Sequence, residues 1–121
     1  MPTPLPKNID LFLSHKPPVS KALFQYFYEY LNSIGGNEFD VTKTTIAFGK
    51  KRRYCYVYQY GKDFISGVLR LDELHDHPEI FFKTAKINNK TCVHHFRMYE
   101  KKDLSNVLKK YVKMAKERSE S

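Results

Sequence analysis

An apolar stripe of helical period runs from residue 19 to 34 and sets the first limit on how this chain folds. Val19, Ala22, Leu23, Tyr26, Phe27, Tyr30, Leu31 and Ile34 recur at i, i+3, i+4, i+7 and i+8, which is one wide face of a helix. Pro17-Pro18 stands where a first turn tolerates proline, and Gly35-Gly36 supplies the left-handed residue favoured just past a helix C-terminus. A face that wide is stable only when a second layer covers it. Near the other end Leu104, Val107, Leu108, Tyr111 and Ala115, with Val112 beside them, form a second stripe. Lys109, Lys110, Lys113 and Lys116 gather toward its C-terminal end, where the helix dipole favours cations.

Between the stripes the period drops to two. Residues 39–48 read as one strand, the KKRR run at 50–53 as a basic turn, and 54–60 (YCYVYQY) as a strictly alternating strand. FISGVLRL at 64–71 is its hairpin partner across Gly61-Lys62-Asp63. Residues 72–90 read as polar turns around a short apolar piece at Ile80, Phe81 and Phe82, one or two helical turns long; TCVHHFRMY at 91–99 is the last strand. The fold class that follows is α+β, a two-layer sandwich with the order helix, three to five mostly antiparallel strands, helix, and both helices on one face of the sheet. Residues 9–116 form the single domain, with Ile9, Leu11, Phe12 and Leu13 tucked against it. A flexible lead at 1–8 precedes it and a frayed tail at 117–121 follows. Two helices cover one face of a sheet, so the other is solvated, covered by residues 72–90, or a binding surface.

Cys55 and Cys92 lie inside strands and read as small buried hydrophobes rather than a disulfide framework, which points to a reducing compartment. The N-terminal run lacks the long apolar core of a signal peptide, and no stretch is long enough to span a bilayer, so a cytoplasmic location without membrane contact is expected.

Charge narrows the partner. Twenty-one Lys and Arg against 13 Asp and Glu give +8, a field that draws in polyanions such as nucleic acid. In the tyrosine strand, parity puts Tyr54, Tyr56, Tyr58 and Tyr60 on one face, beside Lys50, Lys51, Arg52 and Arg53. Stacking rings with a basic rim suit a single-stranded nucleic acid, in which every base has a π-face and every nucleotide a charge. The same rings also suit a core beneath helices. Hairpin register decides between the two: a three-residue loop sets Tyr56 opposite Val68, and a loop one residue shorter or longer moves the rings to the face of Ile65, Leu69 and Leu71.

His94 and His95 are neighbours in a strand and point to opposite faces, so they do not chelate one ion together. One of them, on an open face, is an acid–base or anion-binding candidate. His75-Asp76-His77 reads as a solvated turn lacking the further ligands of a metal site, so no metal or cofactor is expected. There is no phosphate-cradling glycine loop and no nucleophile elbow.

The order of short motifs resembles a small prokaryotic family known as domain of unknown function 5655. The motifs are a helix ending in Gly35, Thr42-Lys43 leading to Phe48, the aromatic strand Tyr54 to Tyr58, the pair His94-His95, and Asp103-Leu104 opening the last helix. They span roughly residues 12–115. This chain has Tyr56 and Tyr58 where the family often has Trp, and a shorter loop after them. The resemblance implies no activity, but it marks Lys43, Phe48, His94 and His95 as positions of interest.

The sequence thus leads to a non-enzymatic binding module for a polyanion, nucleic acid first. Lys43, Lys50, Lys51, Arg52, Arg53 and Arg97 are the phosphate contacts, with Tyr56, Tyr58 and Phe48 as stacking or pocket-lining rings. The alternatives are a small-ligand or enzymatic pocket on the open face using His94 or His95 with Lys43, and a protein-interaction domain.

Overall fold

The helix over residues 19–34 is the longest element of a computed structural model that describes residues 5–35 and 37–120. Helix α1 spans Lys7–Leu13, α2 Pro18–Ile34 and α3 Asn106–Glu120. Between α2 and α3 run β1 (Phe39–Val41), β2 (Ile46–Phe48), β3 (Cys55–Tyr60), β4 (Ile65–Leu71), β5 (Phe81–Asn88) and β6 (Thr91–Met98), then one 3-10 turn at Lys101–Asp103. The strands make one antiparallel sheet in the order β1-β2-β3-β4-β6-β5. The α+β architecture is as expected, but the described residues form six strands rather than three to five and three α-helices rather than two.

The added elements have local causes. Residues 39–48 are not one strand, because Thr42 folds the chain back: its hydroxyl accepts the Thr45 N–H at 3.0 Å while its own N–H donates to the Thr45 carbonyl. Lys43 sits in that turn. Residues 81–88 form a strand rather than a helical turn. β5 is an edge strand with little buried on either face, so it lacks the alternation that marks a half-buried strand. Residues 7 and 8 belong to α1 rather than to a flexible lead. Ile9 and Leu13 are buried, but Leu11 is 72% exposed instead of tucked in. Residues 1–4, Gly36 and Ser121 lie outside the described residues.

Helix α2 starts at Pro18 and ends where Gly35 adopts φ 72°, as expected. Its buried face is Ser20, Leu23, Phe24, Phe27, Tyr28 and Leu31, turned away from the expected stripe so that Val19 and Ala22 are exposed. A serine can occupy that face because the Ser20 hydroxyl donates to the Gly61 and Phe64 carbonyls in the β3–β4 turn. Ser105 opens α3, its hydroxyl accepting the Leu108 N–H. Leu108, Val112, Ala115 and Ser119 are buried, whereas Val107 is not.

Residues 117–120, placed in the tail from sequence, belong to α3 and are held by side chains. Arg52 donates to the Ser119 and Arg118 carbonyls. Arg118 in turn bonds the Asp72 carboxylate, the Lys90 carbonyl and Thr91 Oγ1.

Helices α2 and α3 pack on the same side of the sheet. Phe27 of α2 lies 5.5 Å from Phe96 of β6, and Tyr111 of α3 lies 4.9 Å from Phe81, the register partner of Phe96. Gly67 faces the same side, where an added Cβ would stand 2.6 Å from the Phe96 ring, so only glycine leaves room for it. With the core on this side, the opposite face of the central strands has no helix over it.

Candidate functional site

A bulge in β3 decides where the tyrosines go. The β3–β4 register runs Tyr56↔Val68, Val57↔Gly67 and then Gln59↔Ser66, leaving Tyr58 as the extra residue. The four rings therefore do not share one face. Tyr60 packs on the helix side against Phe12 and Phe24. Tyr54 is buried and donates to Asn37 Oδ1 at 2.6 Å. Tyr56 and Tyr58 remain, half-buried, on the helix-free face. A second bulge, between Phe81 and Lys83, likewise puts Phe81 in the core and leaves Phe82 48% exposed on the open side.

Cross-strand partners in an antiparallel sheet share a face, so the register draws the open face row by row. One row reads Ala47, Tyr56, Val68, His95 and Lys83 across five strands. A second row holds Gln59, Ser66 and Arg97, and a third, on the far side of the first, holds Arg70, Val93 and Ala85. The first row continues on β1 with Asp40, the register partner of Ala47, whose carboxylate pairs with Arg53; the other positions hold no Asp or Glu.

The side chains on this face hold one another in place. The Arg97 guanidinium lies 4.6 Å from the Phe64 ring centre and 4.5 Å from that of Phe82. Its Nε donates to the buried Ser66 hydroxyl at 2.9 Å, and Nη2 points to Gln59 Oε1 at 3.4 Å. Arg70 sits 4.9 Å from the Tyr56 ring centre. The Tyr58 hydroxyl and His95 Nδ1 share a hydrogen bond of 2.9 Å, with the two rings edge to face. Burial first, then the Lys83 charge, hold the His95 pKa below the ordinary imidazole value, so its ring is neutral near pH 7.

The two histidines point to opposite faces, as strand parity requires. His94 is fully buried on the helix side, where its Nε2 accepts the His75 N–H at 2.9 Å and its ring lies 4.9 Å from Phe81. Its Nδ1 has no hydrogen-bond partner among the described residues. Burial and the neighbouring His75 lower its pKa. Because both histidines resist protonation when folded, the unfolded chain takes up protons first as pH falls, and stability drops. The melting temperature is therefore expected to be highest above about pH 6.5 and to fall toward pH 5. His94→Gln, whose amide oxygen can still accept the His75 N–H, is expected to flatten that slope. A melting temperature that does not move across this window would contradict the assignment.

The expected phosphate contacts separate into groups. Lys43, Lys50 and Lys51 are exposed in turns. Arg52 holds the end of α3, and Arg53 pairs with the Asp40 carboxylate and donates to the Gly49 carbonyl. Among the six, Arg97 stands at the centre of the open face. Phe48 is no stacking ring: it is 1% exposed and packs against Phe24, Phe27 and Tyr28. Lys43 does not meet the histidines either, since three strand spacings, about 14 Å, separate β2 from β6. Lys83, the register partner of His95, occupies that place. Arg70 and Phe82 complete the set of residues the sequence reading passed over as site residues. Arg70 was legible as the one charged residue in its strand.

A second basic surface lies on α3. A groove of about 450 Å³ there is lined by Tyr30, Lys109, Lys110 and Lys113, with Glu117 among its walls. Among the described residues no group of three or more His, Cys, Asp or Glu is placed to hold a metal ion, and no helix is long and apolar enough to cross a membrane. Cys55 and Cys92 are free and buried. Comparison with protein-family models, with curated proteins and with solved structures finds no match for this chain.

Proposed function

We propose that the protein is a non-enzymatic binding module for single-stranded nucleic acid, held on the helix-free face of the sheet. The observation that carries this reading is a helix-free face on which Arg97 lies against two rings and Arg70 against a third. Half-exposed rings offer stacking surfaces that tolerate any base, and the guanidiniums neutralise phosphate. A duplex buries its base faces and fits such a platform poorly. The net charge of +8 adds long-range attraction, which by itself discriminates little between polyanions. The resemblance to domain of unknown function 5655 belongs to the same proposal and adds no activity to it. A cytoplasmic location agrees with it as well.

Fluorescence anisotropy of labelled single-stranded RNA, single-stranded DNA and duplex DNA, at low and near-physiological salt, tests the reading. Single strands are expected to bind more tightly than duplex and to stay bound at the higher salt. Tyr56→Ala and Tyr58→Ala are each expected to cost about 1–3 kcal/mol, the range for loss of one stacked base. Lys50→Ala with Lys51→Ala is expected to cost less and to show mainly at low salt. Equal affinity for duplex and single strands, with no effect of the tyrosine variants, would rule out the platform.

A further inference from the structure

We infer that Arg97 is a preformed phosphodiester receptor, and that a bound strand runs along β4 and β6 from Arg97 to Arg70. The inference rests on the single-strand reading above and adds where the phosphates sit and which way the strand lies. A surface arginine ordinarily loses side-chain freedom when it takes hold of a ligand. Arg97 has already lost it. Phe64 and Phe82 flank its guanidinium, and Nε is tied to a buried hydroxyl. Such a group offers its remaining N–H bonds as a planar fork of fixed direction, which matches two oxygens of one phosphate.

The second receptor follows from the register. Arg97 pairs with Ser66 and Arg70 with Val93, so four residues of strand separate the two arginines, about 13 Å at ~3.3 Å per residue. The row containing Tyr56, His95 and Lys83 lies between them, with the Tyr58–His95 pair as neutral aromatic ground for a base and Lys83 as an added cation at the edge. A strand lying along β4 and β6 meets Arg97, then the rings, then Arg70, a footprint on the order of three to four nucleotides, near the small end of single-strand sites. A path across the sheet along any one row would meet at most one of the two arginines.

The test uses the full chain and a labelled single-stranded oligonucleotide, with Arg97→Lys, Arg97→Gln and Phe82→Leu, each checked by thermal melting. Arg97→Lys is expected to lose nearly as much affinity as Arg97→Gln, about tenfold, because a lysine keeps the charge but not the fork. Phe82→Leu, which leaves every charge in place on an edge strand, is expected to weaken binding several-fold. Arg97→Gln is expected to lower the slope of log affinity against log salt by about 0.7, one phosphate contact on a single strand. Wild-type affinity in Arg97→Lys would overturn the receptor while leaving the single-strand function standing. A poly-glutamate peptide that competes as well as the oligonucleotide would overturn the phosphodiester assignment. Failure of the unmodified protein to bind any single strand would remove the function itself, and the receptor with it.

Discussion

Replacing Arg70 and Arg97 together with glutamine is expected to weaken binding of a single-stranded oligonucleotide on the order of a hundredfold. A hydrogen bond to a charged group contributes about 1.5 kcal/mol at the lower end of its range, and two such losses give about 3 kcal/mol, or two decades in Kd. The fold should survive the change. Both side chains lie on the helix-free face, and Phe24, Phe27, Phe96 and Val112, which hold the helices to the sheet, are untouched. Only the hydrogen bonds to Ser66 and Gln59 and the contacts with Tyr56, Phe64 and Phe82 are altered. Anisotropy titration with a parallel melting curve separates the two effects. A double variant that binds within a factor of three of the unmodified protein would move the site elsewhere, with the α3 lysines as the next surface to examine.

The second large effect falls on stability. Phe48→Ala is expected to cost about 3–5 kcal/mol, because it empties a site where rings of α2 converge on β2. The Phe48 ring centre is 6.1 Å from Phe24, 6.5 Å from Phe27 and 6.5 Å from Tyr28. Denaturant unfolding measures the loss, which is a large share of the stability of a small domain. Any fall in oligonucleotide affinity should then track the unfolded fraction and disappear when the folded fraction is taken into account. A Phe48→Ala protein that keeps its stability but loses binding would return this ring to the functional surface, where the sequence alone had placed it.

The apolar periods of residues 19–34 and 104–115 foretell a helical layer, and strand parity foretells that His94 and His95 separate. Both readings need only the local geometry of one element. What escapes are features that a single element does not determine. The bulge at Tyr58 depends on how β3 meets β4, and it alone sends Tyr60 into the core while Tyr58 stays outside. Phe48 reads equally well as a core or a surface ring until the turn at 42–45 fixes the parity of β2. The β5 strand leaves little apolar alternation because its position at the sheet edge asks for none, and with β5 unseen, Phe82 and Lys83 had no face. The basic run at 50–53 misleads in the opposite way. Charge density at that turn suggests a phosphate site, yet Arg52 fastens the end of α3 and Arg53 pairs with Asp40.

A backbone amide chemical-shift titration of the isotope-labelled protein with a single-stranded oligonucleotide tests most directly whether ligand lands on the helix-free face. Shifts are expected to concentrate on Tyr58, Ser66, Val68, His95 and Arg97 and to fade toward α2 and α3. Shifts concentrated on Lys109, Lys110 and Lys113 beside Tyr30, with the open face silent, would contradict it.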